Sequence, residues 1–78
     1  MLSGKRFKIS RETIAIETQA DGRRVAIHVP QGEIVKVISG PRPDDKRMVD
    51  ILWDGRTLVI FADDIQLRGE EVKAAEKP

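Results

Sequence analysis

The stretch Met48–Leu67, MVDILWDGRTLVIFADDIQL, decides the fold, because apolar residues alternate on both sides of one tight-turn dipeptide. Asp54-Gly55 is a strong signal for a two-residue hairpin loop of type I′, in which both central residues take positive φ. Such a loop places Trp53 opposite Arg56. The stripe that then faces inward is Val49, Ile51, Trp53, Leu58 and Ile60. A stripe repeating every second residue needs a hydrophobic core, so the sequence predicts a small β-domain built on this hairpin.

The opposite face of this hairpin carries candidate contact residues. It comprises Met48, Asp50, Leu52, Thr57, Val59 and Phe61, and is less polar than a solvated face usually is. Either the N-terminal part of the chain folds over this face, or the face contacts a partner protein or a second copy. We favour the first interpretation, because large exposed apolar patches are unusual on soluble monomers. If the face is free, the predicted protein-interaction residues are Met48, Leu52, Val59 and Phe61.

A second hairpin is predicted between Thr13 and Pro30, with Asp21-Gly22 as its turn. With a two-residue loop, Thr18 pairs with Val25, Ile16 with Ile27, and Ile14 with Val29. All of these residues then face inward, whereas Ala15, Glu17, Arg24, Ala26 and His28 face outward. A three-residue loop would shift the register by one and place Ile16 opposite Ala26. We expect the two-residue loop, because it collects the large apolar residues on one face.

The remaining elements are shorter. They are a strand over residues 5–9 with Phe7 and Ile9 inward, a strand over 33–39, a Pro-rich loop over 40–46, a turn over 62–64 and a closing strand over 65–67. In the 33–39 strand, either Val35 and Val37 or Ile34 and Ile38 face the core. Apolar residues on both faces suggest a strand covered on both sides, as in a small closed barrel. From Gly69 the chain is charged and apolar-poor, which predicts a frayed helix or a flexible tail.

The segments EIVKVIS, VDILWDG–RTLVIF and ADDIQL, spanning Pro30 to Arg68, resemble the SH3-like small barrels, the superfold of KOW and Tudor modules. The WDG turn with Phe61 is similar to Tudor-like hairpins, and PQGEIVKV is weakly similar to a KOW loop. The chain also resembles short bacterial barrel proteins, for which the resemblance implies no activity. The expected fold is all-β, with a barrel of about five strands and an added N-terminal hairpin. Residues 1–68 form one domain (5–30 strand and hairpin, 31–68 barrel strands), and 69–78 form the charged tail.

Charge supplies an alternative hypothesis. The net charge of the chain is +1, but residues 1–28 hold six basic and three acidic residues. The candidate nucleic-acid contacts are Lys5, Arg6, Lys8, Arg11, Arg23 and Arg24. We rank nucleic-acid binding below protein binding, because nucleic-acid-binding domains usually show a larger basic excess and a platform of stacking aromatic residues.

Catalysis is not expected. The chain has no cysteine and one histidine, His28, without a partner at catalytic spacing, and its glycines form no phosphate-binding loop. Asp63 and Asp64 fit turn formation better than metal binding, because neighbouring strand residues point to opposite faces. The longest apolar run, Leu58–Ala62, is far shorter than the roughly 20 residues of a membrane span. We therefore expect a cytoplasmic, non-catalytic binding module without a cofactor or metal, contacting a protein or a second copy, with a strand edge such as Lys5–Ile9 also available for pairing.

Overall fold

The computed structural model describes residues 3–72, which form seven strands and one short helix. The elements are β1 (Arg6–Ile9), β2 (Thr13–Thr18), β3 (Arg24–Val29), β4 (Ile34–Ser39), β5 (Met48–Trp53), β6 (Arg56–Phe61), α1 (Ala62–Arg68) and β7 (Gly69–Val72). The all-β prediction is confirmed. The helix α1 has seven residues, and no helix within residues 3–72 is long and apolar enough to cross a membrane.

All seven strands belong to one antiparallel sheet in the order β3-β2-β6-β5-β4-β1-β7. Within residues 3–72 the sheet is not closed, and β3 and β7 are its end strands. The β2–β3 hairpin continues the sheet beside β6, where Ile16 lies opposite Val59. The expectation that this hairpin covers the second face of β5–β6 is therefore wrong. The expectation that β1 is an edge is also wrong, since β1 lies between β4 and β7.

The central hairpin has the predicted register. Met48 lies opposite Phe61 and Trp53 opposite Arg56, and the turn residues Asp54 and Gly55 have φ of 52° and 74°. The stripe of Val49, Ile51, Leu58 and Ile60 is fully buried. Trp53 is only partly buried against this core, and its indole Nε1 donates a 3.0 Å hydrogen bond to the carboxylate of Glu33.

The core lies on one side of the sheet, and α1 adds one residue to it. Its members are Phe7, Ile9, Ala15, Val29, Val35, Val37, Val49, Ile51, Leu58, Ile60 and Ile65. On β4 the core residues are Val35 and Val37, whereas Ile34 and Ile38 are exposed. We call the other side of the sheet the outer face. Residues that alternate with the core residues along each strand lie there.

The register of the N-terminal hairpin differs from the prediction by one residue. Ile16 lies opposite Ala26 and Ile14 opposite His28. The Gln19 N–H donates to the Arg23 carbonyl at 2.7 Å and the Gly22 N–H donates to the Gln19 carbonyl at 2.9 Å, which leaves a three-residue loop. Gly22 has a φ of 89°, but Asp21 is not left-handed, so this Asp-Gly pair does not form a type I′ turn.

This shift decides which side chains enter the core. Ala15 is fully buried and Ile14 is 50% exposed, which reverses the prediction for both residues. Ile27 and Val29 face the core as predicted, and Val25 shares their side but remains 39% exposed. His28 is on the outer face as expected, although its neighbour across the strands is Ile14 rather than Ala15.

The C-terminal elements also differ from the prediction. Ile65 and Leu67 belong to α1 rather than to a closing strand, with Ile65 fully buried and Leu67 exposed. Acidic Asp63 and Asp64 lie in the first turn of α1 and Arg68 in its last, which favours the helix through its dipole. The closing strand is β7, which pairs along all of β1 within the segment expected to be a tail. Residues 73–78, the rest of that predicted tail, lie outside the described residues.

Candidate functional site

A cleft of about 280 Å³ lies between the β4–β5 loop and the outer face of the sheet. We call it the loop cleft. It is lined by Ile16, Thr18, Arg24, Arg42, Asp44, Asp45, Arg47, Met48, Val59 and Phe61. The loop supplies one wall and the β2–β3 hairpin supplies the other. The floor is formed by β5 and β6 together with Ile16 of β2.

The floor of the loop cleft is apolar. It consists of two cross-strand pairs, Met48 opposite Phe61 and Ile16 opposite Val59. Phe61 is 44% exposed, and the other three side chains are partly buried. Side chains directly opposite one another on neighbouring antiparallel strands are in contact distance. The four residues therefore form a continuous apolar surface that solvent reaches, suited to an apolar side chain of a ligand.

The loop wall is held in place by the backbone. The Arg42 N–H donates to the Met48 carbonyl at 3.0 Å, and the Met48 N–H donates to the Asp45 carbonyl at 3.1 Å. The Ala62 N–H donates to the Arg47 carbonyl at 2.7 Å, which ties the loop to the start of α1. At the start of the loop, Gly40 has a φ of 122° and its backbone packs directly on Val49. These contacts position the charged side chains of the wall over the floor.

Most of the charges at the rim neutralise one another. Arg42 lies 3.9 Å from the Asp44 carboxylate and 3.7 Å from that of Asp50. Arg47 donates two hydrogen bonds to the Asp45 carboxylate, at 3.1 and 3.3 Å. The Arg47 hydrogen bonds hold the pKa of Asp45 below its ordinary value, and the same carboxylate raises the pKa of Arg47.

Arg24 differs from the two loop arginines. It lies on the opposite wall, on β3, and has no carboxylate partner within residues 3–72. An exposed guanidinium carries five N–H donors that can bind a carboxylate or a carbonyl group. The rim therefore combines two paired arginines with one whose donors remain available.

The predicted protein-interaction residues are largely brought together. Met48, Val59 and Phe61 lie in the loop cleft. Leu52 is 41% exposed on the same face but lies outside the cleft, where it is opposite Lys36. Three of the four predicted residues therefore line the loop cleft, and Leu52 lies elsewhere on the same face.

The predicted nucleic-acid residues are spread over separate parts of the sheet. Lys5, Arg6 and Lys8 lie at β1, Arg11 lies in the turn after it, and Arg23 and Arg24 lie at β3. Four strands separate β1 from β3 in the sheet. Lys5 and Arg23 are each within ion-pair distance of a carboxylate, that of Glu71 at 3.8 Å and that of Asp21 at 3.2 Å. The strand order therefore divides these residues into two groups.

Sequence reasoning missed six residues of the cleft lining. Ile16 and Thr18 were assigned to the inward face, and the other four were part of a loop without an assigned role: Arg42, Asp44, Asp45 and Arg47. The alternative register, with its three-residue loop, was the signal that could have turned Ile16 outward. The spacing Asp45-Lys46-Arg47 was a signal for a local ion pair within that loop.

His28 and Glu12 lie outside the lining of the loop cleft. His28 Nε2 lies 2.9 Å from the Glu12 carboxylate, and both side chains are exposed. Within residues 3–72, no three His, Cys, Asp or Glu side chains are grouped so that they could hold a metal ion. Comparisons with models of known protein families, with curated proteins and with solved structures found no match to this chain.

Proposed function

We propose that this chain is a non-catalytic binding module related to the SH3-like barrels, and that its loop cleft binds a segment of a partner protein. The succession of β4, the β5–β6 hairpin, a short helix and β7, with β7 beside β1, supports the relationship to those barrels. In this interpretation the β2–β3 hairpin is the added element, and it forms one wall of the binding cleft.

The observation that carries the proposal is the exposed apolar floor. Phe61 and its neighbour Met48 remain accessible beside a loop that is fixed by hydrogen bonds. Fully burying one aliphatic or aromatic side chain contributes about 1.5–3 kcal/mol. Association also costs translational and rotational freedom, so one anchor side chain is not sufficient for tight binding. The ligand segment therefore needs polar contacts with the rim in addition to an apolar anchor.

The charges of the cleft favour a protein segment over nucleic acid. Arg42 and Arg47 are paired with aspartates, which would repel phosphates brought close to them. Phe61 is the only aromatic residue in the lining of the cleft, whereas binding of single strands uses several stacked bases on aromatic side chains. Nucleic-acid binding through the basic residues of β1 and β3 remains the less supported alternative.

The proposal can be tested by selecting ligands from a displayed library of random peptides and measuring their affinity by isothermal titration calorimetry. In the Phe61→Lys variant, we expect the affinity of the selected peptides to fall at least tenfold, because a charge replaces the apolar anchor site. Leu52→Lys is the matched control, since Leu52 has similar exposure on the same face outside the cleft. Thermal unfolding of both variants checks that they fold.

Two outcomes would contradict the proposal. One is a library selection that enriches no peptide, and the other is peptide binding that Phe61→Lys leaves unchanged. Titration with single-stranded and duplex DNA tests the alternative. Affinity that falls steeply with salt and is lost in the Arg6→Glu/Lys8→Glu double variant would favour nucleic acid instead, because phosphate contacts release counterions.

A further inference from the structure

The outer side of β3 is a free sheet edge within residues 3–72. The hydrogen bond from the Gln19 N–H to the Arg23 carbonyl marks these two residues as a hydrogen-bonded pair of the β2–β3 ladder. Hydrogen-bonded and non-hydrogen-bonded pairs alternate along an antiparallel ladder. Arg24, Ala26 and His28 therefore direct their backbone N–H and C=O groups away from β2, toward the open edge.

This edge lacks most of the features that usually prevent strand pairing. Proteins protect edge strands with charged side chains (lysine above all), proline, bulges or very short strands, and on β3 the basic residue Arg24 stands at the first position only. β3 has six residues, RVAIHV, without proline, glycine or lysine, and its register with β2 is unbroken from Thr13–Val29 to Thr18–Arg24. The other end strand, β7, has four residues and includes Glu70 and Glu71. The free edge of β3 is thus the better template for an added strand.

We propose that a second copy of this chain pairs with β3 in antiparallel orientation, about a two-fold axis at Ala26. This register places Ala26 of the two copies opposite each other and Arg24 of one copy opposite His28 of the other. On the core side it places Val25 of one copy opposite Ile27 of the other. Val25 is 39% exposed in the single chain, and an apolar cross-strand neighbour would cover it.

Charge complementarity favours this partner and this register, because the Glu12 carboxylate beside His28 is an acceptor for Arg24 of the other copy. Arg24 has no carboxylate partner within residues 3–72, whereas His28 holds the Glu12 carboxylate at 2.9 Å. With the axis at Ala26, Arg24 of each copy lies beside the His28–Glu12 pair of the other, so the charge contact forms twice. An axis at Arg24 would instead place two arginines opposite each other, which is unfavourable.

The inference goes beyond the proposed function. The two share Arg24, which lies on β3 and at the rim of the loop cleft, whereas none of the four floor residues of the cleft lies on β3. Its test is analytical ultracentrifugation of the full chain from micromolar to millimolar concentration. We expect a monomer–dimer equilibrium whose dissociation constant rises at least tenfold in Ala26→Lys and in Ala26→Glu, because like charges then face each other across the axis. An equimolar mixture of the two variants should restore the dimer.

Controls separate this mode of pairing from others. Thr57→Lys, at an exposed position of β6 away from the edge, should leave the equilibrium unchanged. The chain has no cysteine, so oxidation of Ala26→Cys can join only two copies. Facing residues in this ladder are about 5.5 Å apart at Cα, which a disulfide can span. Thr57→Cys should cross-link much more slowly.

The inference is overturned if the chain stays monomeric at millimolar concentration, or if a dimer forms equally well in Ala26→Lys, Ala26→Glu and their mixture. Peptide affinity at the loop cleft is a separate measurement. Failure of the dimer proposal therefore leaves the peptide-binding proposal standing, and the reverse also holds.

Discussion

The register of the N-terminal hairpin exposes one side chain and buries the next one along the chain, so substitutions at these two positions test it. Ile14 is 50% exposed on the outer face and Ala15 is fully buried against the core. In the register predicted from the alternation of apolar residues, their environments would be exchanged. We therefore expect Ile14→Thr to be mild and Ala15→Leu to be destabilising, which is the reverse of what residue type alone suggests.

The magnitudes follow from the exposure of the two side chains. Complete burial of an isoleucine side chain contributes about 1.5–3 kcal/mol. Because Ile14 is only half-buried and Thr keeps the β-branch, Ile14→Thr should lower the free energy of unfolding by about 1 kcal/mol. Ala15→Leu adds three carbon atoms to a filled site, and such overpacking costs about 1–3 kcal/mol. For a domain of this size each kcal/mol lowers Tm by about 4–8 °C.

Urea and thermal unfolding followed by circular dichroism measure both values. The structure would be refuted in this region if Ile14→Thr reduced the free energy of unfolding by about 3 kcal/mol or more, as expected for a polar replacement of a buried isoleucine, while Ala15→Leu had no effect. That result would also mean that Ile16 faces the core and does not line the loop cleft.

Three further predictions concern the loop and the C-terminal strand. Gly40→Ala should lower the free energy of unfolding by about 2–4 kcal/mol, because its φ of 122° disfavours a side chain and the new Cβ would lie 2.9 Å from the β5 backbone; Gly32→Ala, with positive φ but open space, should cost less in the same urea titration. The pKa of Asp45 is lowered, so its stabilising contribution is present above the ordinary aspartate pKa and is lost as the pH falls through the lower folded value. The free energies of unfolding of Asp45→Asn and of the parent chain should therefore converge at acid pH. A difference between them that does not change with pH would contradict the Arg47 contact. Truncation after Arg68 removes the strand paired with β1, so calorimetry should show that cooperative unfolding is weakened or lost. Full retention of Tm would show that β7 contributes nothing to stability.

The central hairpin could be predicted because its signals are local and agree with one another. Asp54 and Gly55 fit the positive φ values that a type I′ turn needs, and this turn selects the register that buries Val49 and Ile51. The candidate contact residues Met48 and Phe61 followed from the same register. They could be identified as outer-face residues without knowledge of any other element.

The C-terminal strand could not be predicted from side-chain pattern. β7 contains Gly69 and two glutamates, yet it forms a ladder with β1 because backbone groups make these hydrogen bonds whatever the side chains are. The helix before it contributes the fully buried side chain of Ile65 to the core. Alternation of Ile65 with Leu67 suggested a strand, but two residues are too few to distinguish periods of 2.0 and 3.6.

By itself, the sequence determined that the chain is all-β and that the β5–β6 hairpin has its observed register, because turn chemistry and alternation act over a few neighbouring residues. It also identified four of the five residues in the predicted inward stripe as buried, whereas Trp53 is only partly buried. The rest of the site depends on a turn that the alternation of apolar residues did not reveal and on long-range strand pairing. A three-residue loop at Gly22 turned Ile16 to the outer face, and pairing of Ile16 with Val59 placed the β2–β3 hairpin beside β6. The cleft exists because that long-range pairing brings Arg24 to the opposite side of the floor from the Arg47 loop, and no local pattern encodes which strand a free edge will join.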